Sequence, residues 1–196
     1  FRKPLVIMTP KSLLRHKLAV SSLADFTGDS HFRRIVSDLN PPAETEVKRL
    51  VLCSGKLAYE LMEARDKAGD RDIAIVRIEQ LYPFPDEPLV ARLKRMTGLE
   101  EVVWAQEEPK NQGYWSFVEH RLERCLAEAG TRPRRAAYAG RAASASTATG
   151  LARRHAAEQL ALIAEALGHP ATTPVLSGAA GFATNGRDAP PQRKAG

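Results

Sequence analysis

The sequence is poor in cysteine and has no long apolar run. Cys53 and Cys125 are the only cysteines, and they form neither a CxxC pair nor a metal-ligand pattern with histidine. Two isolated cysteines indicate reduced, buried thiols and a reducing compartment, most simply the cytoplasm. No run approaches the roughly 20 apolar residues of a membrane helix, and we expect no signal peptide. These absences favour a cytoplasmic protein without a disulfide, a metal site or a membrane partner.

Acidic residues are scarce in the last third of the chain. Residues 130–196 hold 9 Lys and Arg against 3 Asp and Glu, whereas residues 1–129 hold 20 of each. The net charge of +6 therefore comes entirely from the last third. A basic segment can attract nucleic acid, but these arginines are scattered without interleaved aromatic residues. A solvated basic end, or an anion site built from a few arginines, is the better interpretation.

A length of 196 residues with 43% hydrophobic content fits one globular domain. Turn residues divide the chain into a connecting arm and linker (1–46), a core domain (47–168) and a tail (169–196). Within the arm, Leu5–Met8 is predicted to be a short strand. The tail has too few apolar residues to offset its ordering entropy and is expected to be disordered. Because the chain begins with Phe rather than Met, we expect it to be a piece of a longer protein.

The core domain alternates strands and helices four times. Such alternation predicts an α/β fold with three layers around a mostly parallel, doubly wound sheet. The predicted strands are residues 49–53, 73–78, 102–106 and 134–139, and the predicted helices are 57–68, 86–96, 115–129 and 151–167.

Polar residues follow the predicted strands where their carboxyl ends should meet, the edge at which open α/β sheets bind ligands. Lys56 and Arg141 could bind phosphate there, helped by the amino terminus of the first helix. Alternatively, both cations pair with Glu107 or Glu108 and close a domain interface. We call this region the strand-end edge; its predicted members are Ser54, Lys56, Glu79, Gln80, Glu107, Glu108, Gln112, Arg141, Ser144 and Ser146.

Evidence for covalent or acid-base catalysis is weak. Ser54 does not lie in a GxSxG turn, and the five histidines fall in the arm, on helices or in the tail. Glu107 and Glu108 are adjacent on a strand, so their side chains should point to opposite faces. We therefore predict no catalytic residue in this chain.

Four motifs stand out beyond these patterns: TPKSLLRH (9–16), VRIEQLYPFP (76–85), QEEPKNQGYW (106–115) and GRAASASTATG (140–150). In this order they resemble the C-terminal domain of the E1 component of 2-oxoglutarate dehydrogenase. The resemblance extends over about residues 2–168. The 2-oxoadipate enzyme is similar and is the main alternative within the family.

The resemblance implies a transketolase-like C-terminal domain, with one strand of the sheet reversed in some members. It also implies a homodimeric parent enzyme of the tricarboxylic acid cycle that uses thiamine diphosphate and Mg²⁺ to decarboxylate 2-oxoglutarate. That enzyme passes the succinyl group to the lipoyl arm of E2. In the family, the cofactor and the catalytic histidines belong to two preceding domains, so this chain alone should be inactive.

Some relatives bind an allosteric nucleotide, such as acetyl-CoA or AMP, at the strand-end edge. The matching positions here are Thr9, Lys56, Gln112 and Arg141. The loop 141–150 departs from the family, because Ala142 and Thr147 stand where relatives usually carry proline.

Two hypotheses follow from the resemblance. The first is a C-terminal piece of the E1 enzyme, and the second is a stand-alone regulatory module that binds acetyl-CoA or AMP. The first predicts an exposed apolar surface where the other domains dock. Its candidate residues are Leu81, Tyr82, Phe84, Tyr114 and Trp115.

Overall fold

The computed structural model describes residues 2–170 and contains one five-stranded sheet with helices on both faces. The predicted disorder of the tail falls almost entirely outside these residues. Along the chain, the elements are β1 (Ile35–Ser37), β2 (Arg49–Cys53), α1 (Leu57–Ala68), β3 (Ile73–Ile78), α2 (Asp86–Leu93), β4 (Glu101–Pro109), α3 (Trp115–Ala129), β5 (Ala137–Arg141) and α4 (Ala152–Leu167). Short 3₁₀ turns occupy Lys11–Arg15, Leu23–Phe26 and Glu44–Glu46.

The strand order is β1-β3-β2-β4-β5, and the four strands β2 to β5 run parallel. Only β1, at one edge, is antiparallel to its neighbour, with Ile35 paired to Ile78. The predicted three-layer α/β fold with a mostly parallel sheet is therefore confirmed.

Both faces of the sheet are buried, which explains why its strands appear in the sequence as nearly continuous apolar runs. Alternate residues of β2 point to opposite faces: Leu50 and Leu52 pack under α2 and α3, whereas Val51 and Cys53 pack under α1 and α4. Trp104, on the same face as Leu52, is fully buried. The two apolar layers fix the register of the central strands, because a slip of one residue would exchange their faces.

The structure differs from the sequence prediction at several places. The strand β4 continues to Pro109 instead of ending at 106, and α2 ends at Leu93 instead of 96. Leu5–Met8 forms no strand and is exposed, because this segment has no neighbouring strand among residues 2–170. The predicted linker contains β1, which pairs with β3. The last strand is Ala137–Arg141 rather than 134–139, since Arg134 and Arg135 are exposed and Gly140 lies inside the strand.

One buried ion pair ties the segment after β1 to the domain. The Asp38 carboxylate accepts hydrogen bonds from the guanidinium of Arg65, and both side chains are at most 2% exposed. Breaking such a pair leaves an uncompensated buried charge, which is strongly destabilising. Among residues 2–170, no helix is both long and apolar enough to cross a membrane.

Candidate functional site

Lys56 lies at the strand-end edge, in the turn between β2 and α1. Its ammonium is 2.5 Å from Glu107 Oε1, near the end of β4, and 3.1 Å from Glu60 Oε1 on α1. Burial alone would lower the pKa of Lys56, but the hydrogen bonds and charges of Glu107 and Glu60 outweigh it and raise the pKa. Lys56 is therefore a protonated cation held between two carboxylates.

Arg141, the last residue of β5, is the second cation at this edge, and its side chain is only 10% exposed. Its Nε is 3.1 Å from Glu158 Oε2, and one Nη donates to the carbonyl of Glu107. The other Nη lies 3.1 Å from Gln159 Oε1 and 3.2 Å from His155 Nδ1. Arg141 thus joins β4 to α4.

The two cations belong to one connected network. Gln159 accepts from Arg141 through Oε1 and donates through Nε2 to Glu60 Oε2, 2.8 Å away. Glu60 in turn contacts Lys56. The predicted convergence of Lys56 and Arg141 is correct in this sense. The alternative prediction that both cations pair with Glu107 or Glu108 is correct for Lys56, which pairs with Glu107, and wrong for Arg141, whose carboxylate partner is Glu158.

Glu158 accepts more hydrogen bonds than the other carboxylates of this network, Glu60 and Glu107. Besides Arg141, it accepts from Thr149 Oγ1 at 2.5 Å and from Arg154 Nε at 2.7 Å. Burial raises the pKa of Glu158, but the hydrogen bonds from Thr149 and Arg154 and the two guanidinium charges outweigh it and lower the pKa from its ordinary value. Glu158 stays ionised and holds the start of α4 against the loop 142–151.

Gln112 is hydrogen-bonded to the loop 142–151, so its side-chain amide is not free to bind a ligand. Its Nε2 is 3.0 Å from the carbonyl of Ser144 and 3.2 Å from that of Ser146. Asn111 makes a reciprocal pair with the backbone of Ser144, with both distances 3.0 Å. The amide pair of the QEEPKNQGYW motif therefore fixes the conformation of the small-residue loop.

Gln106, which the sequence analysis did not single out as a site residue, organises the turn between β4 and α3. It is 4% exposed, and its Oε1 accepts from the indole of Trp104 and the backbone N–H of Trp115, both at 3.0 Å. Its Nε2 donates to the carbonyl of Gln112 at 2.8 Å. Gly113 has a φ of 63°, and a Cβ there would come within 2.9 Å of this Nε2. The turn therefore requires glycine.

A cavity of about 440 Å³ opens beside Arg141, between the loop 142–151 and α4. Arg141 and Arg154 supply its positive charges, Glu158 and Glu165 supply its negative charges, and Leu162 contributes apolar surface. The first turn of α4 contains no acidic residue, and no side chain caps it. Two carboxylates offset the two arginines, so the positive end of α4 is the feature of this cavity that favours an anion.

The other predicted edge residues do not enter the network. Thr9 is exposed in the extended arm and does not line the cavity. Glu79 lies 3.6 Å from Arg77, and Gln80 donates to the carbonyl of Pro83. Glu108 is exposed beside Gly113, whereas its neighbour Glu107 faces Lys56, so the two carboxylates do not act together.

The prediction that five apolar residues form an exposed docking surface is wrong for two of them. Phe84 and Trp115 are 9% and 7% exposed and pack in the core. Leu81 is half-buried, whereas Tyr82 and Tyr114 remain exposed at 80% and 45%.

Both cysteines are buried, as predicted, and burial raises the pKa of each thiol to about 12. Within residues 2–170, no three His, Cys, Asp or Glu side chains are grouped as metal ligands would be.

A family model and curated relatives from the same family match this chain. The family model described as 2-oxoglutarate dehydrogenase C-terminal matches residues 20–167. The 2-oxoglutarate dehydrogenase E1 components of Brucella ovis and Brucella canis are 48% identical over 177 residues, which cover 86% of this chain and 18% of each relative. The chain therefore spans less than a fifth of the length of these relatives. Among solved structures, a split-gene transketolase in an inactive β4 tetramer is 19% identical with a TM-score of 0.47, over 73% of this chain and 45% of that one.

Proposed function

Because this chain belongs to the 2-oxoglutarate dehydrogenase C-terminal family, we propose that it is the C-terminal part of a thiamine-dependent E1 enzyme. That enzyme decarboxylates 2-oxoglutarate in the tricarboxylic acid cycle and passes the succinyl group to the lipoyl arm of E2. The observation that carries this proposal is 48% identity extending over 86% of the chain. We place the enzyme in the cytoplasm, in keeping with the two buried, unpaired cysteines of this chain.

Within such an enzyme, the contribution of this chain is structural. The residues described here do not fit a Mg²⁺ site, since they offer no group of carboxylates or histidines that could hold the ion. As the family resemblance implies, we assign thiamine diphosphate and Mg²⁺ to the remaining E1 domains. This chain packs against those domains and a second E1 subunit, through surfaces that include Tyr82 and Tyr114. Alone, it is inactive.

Reconstitution tests this assignment. The chain would be combined with separately produced E1 domains that carry the cofactor site, and decarboxylation of 2-oxoglutarate would be measured. We expect activity from the mixture and none from either part. Running 2-oxoadipate in parallel separates the two enzymes of the family. Binding of the two parts without decarboxylation of either substrate would contradict the assignment.

The strand-end edge supports a second role, an allosteric site for acetyl-CoA or AMP. The supporting observations are that Lys56 and Arg141 share one network and that Arg141 and Arg154 line the adjacent cavity at the start of α4. Lys56 and Arg141 are the candidate phosphate ligands. Gln112 shapes the loop, and Thr9 would have to approach from the arm. A stand-alone regulatory module would use the same edge.

A calorimetric titration of the 196-residue chain tests this role. Acetyl-CoA and AMP are the ligands, and thiamine diphosphate is the comparison. Binding of acetyl-CoA or AMP but not of thiamine diphosphate would support a regulatory site independent of catalysis. Absence of binding by all three, with a folded sample, would remove the site and leave the chain a structural role only.

A further inference from the structure

The cations of the strand-end edge are already neutralised by carboxylates. Lys56 contacts Glu107 at 2.5 Å and Glu60 at 3.1 Å, and Arg141 contacts Glu158 at 3.1 Å. A phosphate approaching this edge would therefore be repelled by the carboxylates as much as it is attracted by the cations. Tight binding requires one carboxylate to move away.

Glu158 is not the carboxylate that moves. Its two oxygens accept from Arg141, Arg154 and Thr149, three donors on different parts of the chain. Displacing it would leave a nearly buried guanidinium without its carboxylate, which is costly.

Glu60 and Glu107 both contact Lys56, but they differ in how else they are held. Glu60 keeps a second hydrogen bond, from Gln159 Nε2 at 2.8 Å. The carboxylate of Glu107 has Lys56 as its single partner in the described part of the chain. The pairing of β4 with β5 is irregular between Ala105 and Pro109, so Glu107 also lies outside the regular ladder. Its side chain is 22% exposed and can turn toward solvent.

From these contacts we infer that the Glu107 carboxylate is an internal competitor for the nucleotide phosphate. Ligand binding exchanges this carboxylate for a phosphate oxygen on the Lys56 ammonium, while Glu60 and Glu158 keep their hydrogen bonds. The inference rests on the nucleotide site proposed above and adds the step that opens it. Glu107 then sets which anions bind, because only a ligand that outcompetes a carboxylate at Lys56 is accepted.

Three forms of the full chain test the inference: the unaltered protein, Glu107→Gln and Glu108→Gln. Each variant removes one negative charge from adjacent positions, but only Glu107 contacts Lys56. AMP and acetyl-CoA are titrated into each at one ionic strength. We expect Glu107→Gln to bind about tenfold tighter, because the ligand no longer has to displace a charge-assisted hydrogen bond. Glu108→Gln should bind like the unaltered chain.

The outcomes separate this inference from the nucleotide site itself. Equal tightening in both variants would mean a general charge effect and would overturn the role of Glu107. Unchanged affinity in Glu107→Gln, with binding still present, would overturn it while leaving the site intact. No binding by any of the three forms would remove both. Should Glu107→Gln fail to fold, Glu107→Asp withdraws the carboxylate from Lys56 without removing the charge and is expected to tighten binding as well.

Discussion

Gln159 on α4 donates a 2.8 Å hydrogen bond to Glu60 on α1, across 99 residues of sequence. The same amide accepts from Arg141 through its oxygen, so both ends of the side chain are used. Gln159 is 9% exposed, which makes these contacts stronger than they would be in water. This hydrogen bond connects α4 to α1 at the strand-end edge.

The first prediction concerns the two hydrogen bonds of the Gln159 side chain. Replacing Gln159 with Leu should lower the free energy of unfolding by about 1 to 2 kcal/mol, because Arg141 and Glu60 each lose a partner. Urea denaturation of the 196-residue chain measures the loss. In a double-mutant cycle with Glu60→Leu, we expect a coupling of about 1 kcal/mol. Additive effects of the two substitutions would show that the bond contributes nothing.

The second prediction concerns Gln106. Changing it to Ala should lower the free energy of unfolding by about 3 kcal/mol, because several buried donors and acceptors lose their partner together. The indole of Trp104 is one of them, so its fluorescence should change in the folded state. Gln80→Ala is the matched control, since Gln80 makes one exposed hydrogen bond. A similar loss in both variants would contradict a special role for Gln106.

Local patterns were sufficient to predict the central elements. The strands β2 and β3 and the helices α1 and α3 have the predicted bounds, because both faces of the sheet impose apolar runs and glycine ends the helices. In contrast, β1 has only three residues, and its pairing with β3 depends on a contact some 40 residues away. No local pattern identifies so short an edge strand.

The site was predicted in part for the same reason. The order of the strands was enough to predict that Lys56 and Arg141 lie at one edge. Glu158 and Gln159 reach this edge because α4 packs against β5 and α1. That packing is a tertiary relationship that the helical period does not reveal. The role of Gln106 could have been predicted. In a strand, alternate residues face the same side, so Gln106 is a polar residue on the side of Trp104 that faces the core.

The third prediction concerns ligand binding by Arg141. Replacing Arg141 with Ala should weaken binding of AMP or acetyl-CoA by about 1.5 to 3 kcal/mol if it makes a charge-assisted bond to phosphate. Calorimetry gives the affinity, and the melting temperature shows whether the fold persists. Arg132→Ala is the charge-matched control, because Arg132 is exposed in the loop before β5. Equal affinities in the unaltered chain and the Arg141 variant would exclude Arg141 from the site.

The fourth prediction concerns acid stability. The pKa of Glu158 is lowered in the folded chain, so its contribution to stability is fully present above the ordinary pKa of a glutamate and is lost as the pH falls through the lowered pKa. Glu158→Gln should therefore reduce stability at neutral pH and flatten its decline as the pH falls through the lowered pKa. Urea denaturation at a series of pH values measures both effects. Glu119→Gln is the control, because Glu119 is exposed. If the Glu158 variant and the unaltered chain lose stability in parallel as the pH falls, the carboxylate does not hold α4 through its charge, and the loop 142–151 must be held by Asn111 and Gln112 instead.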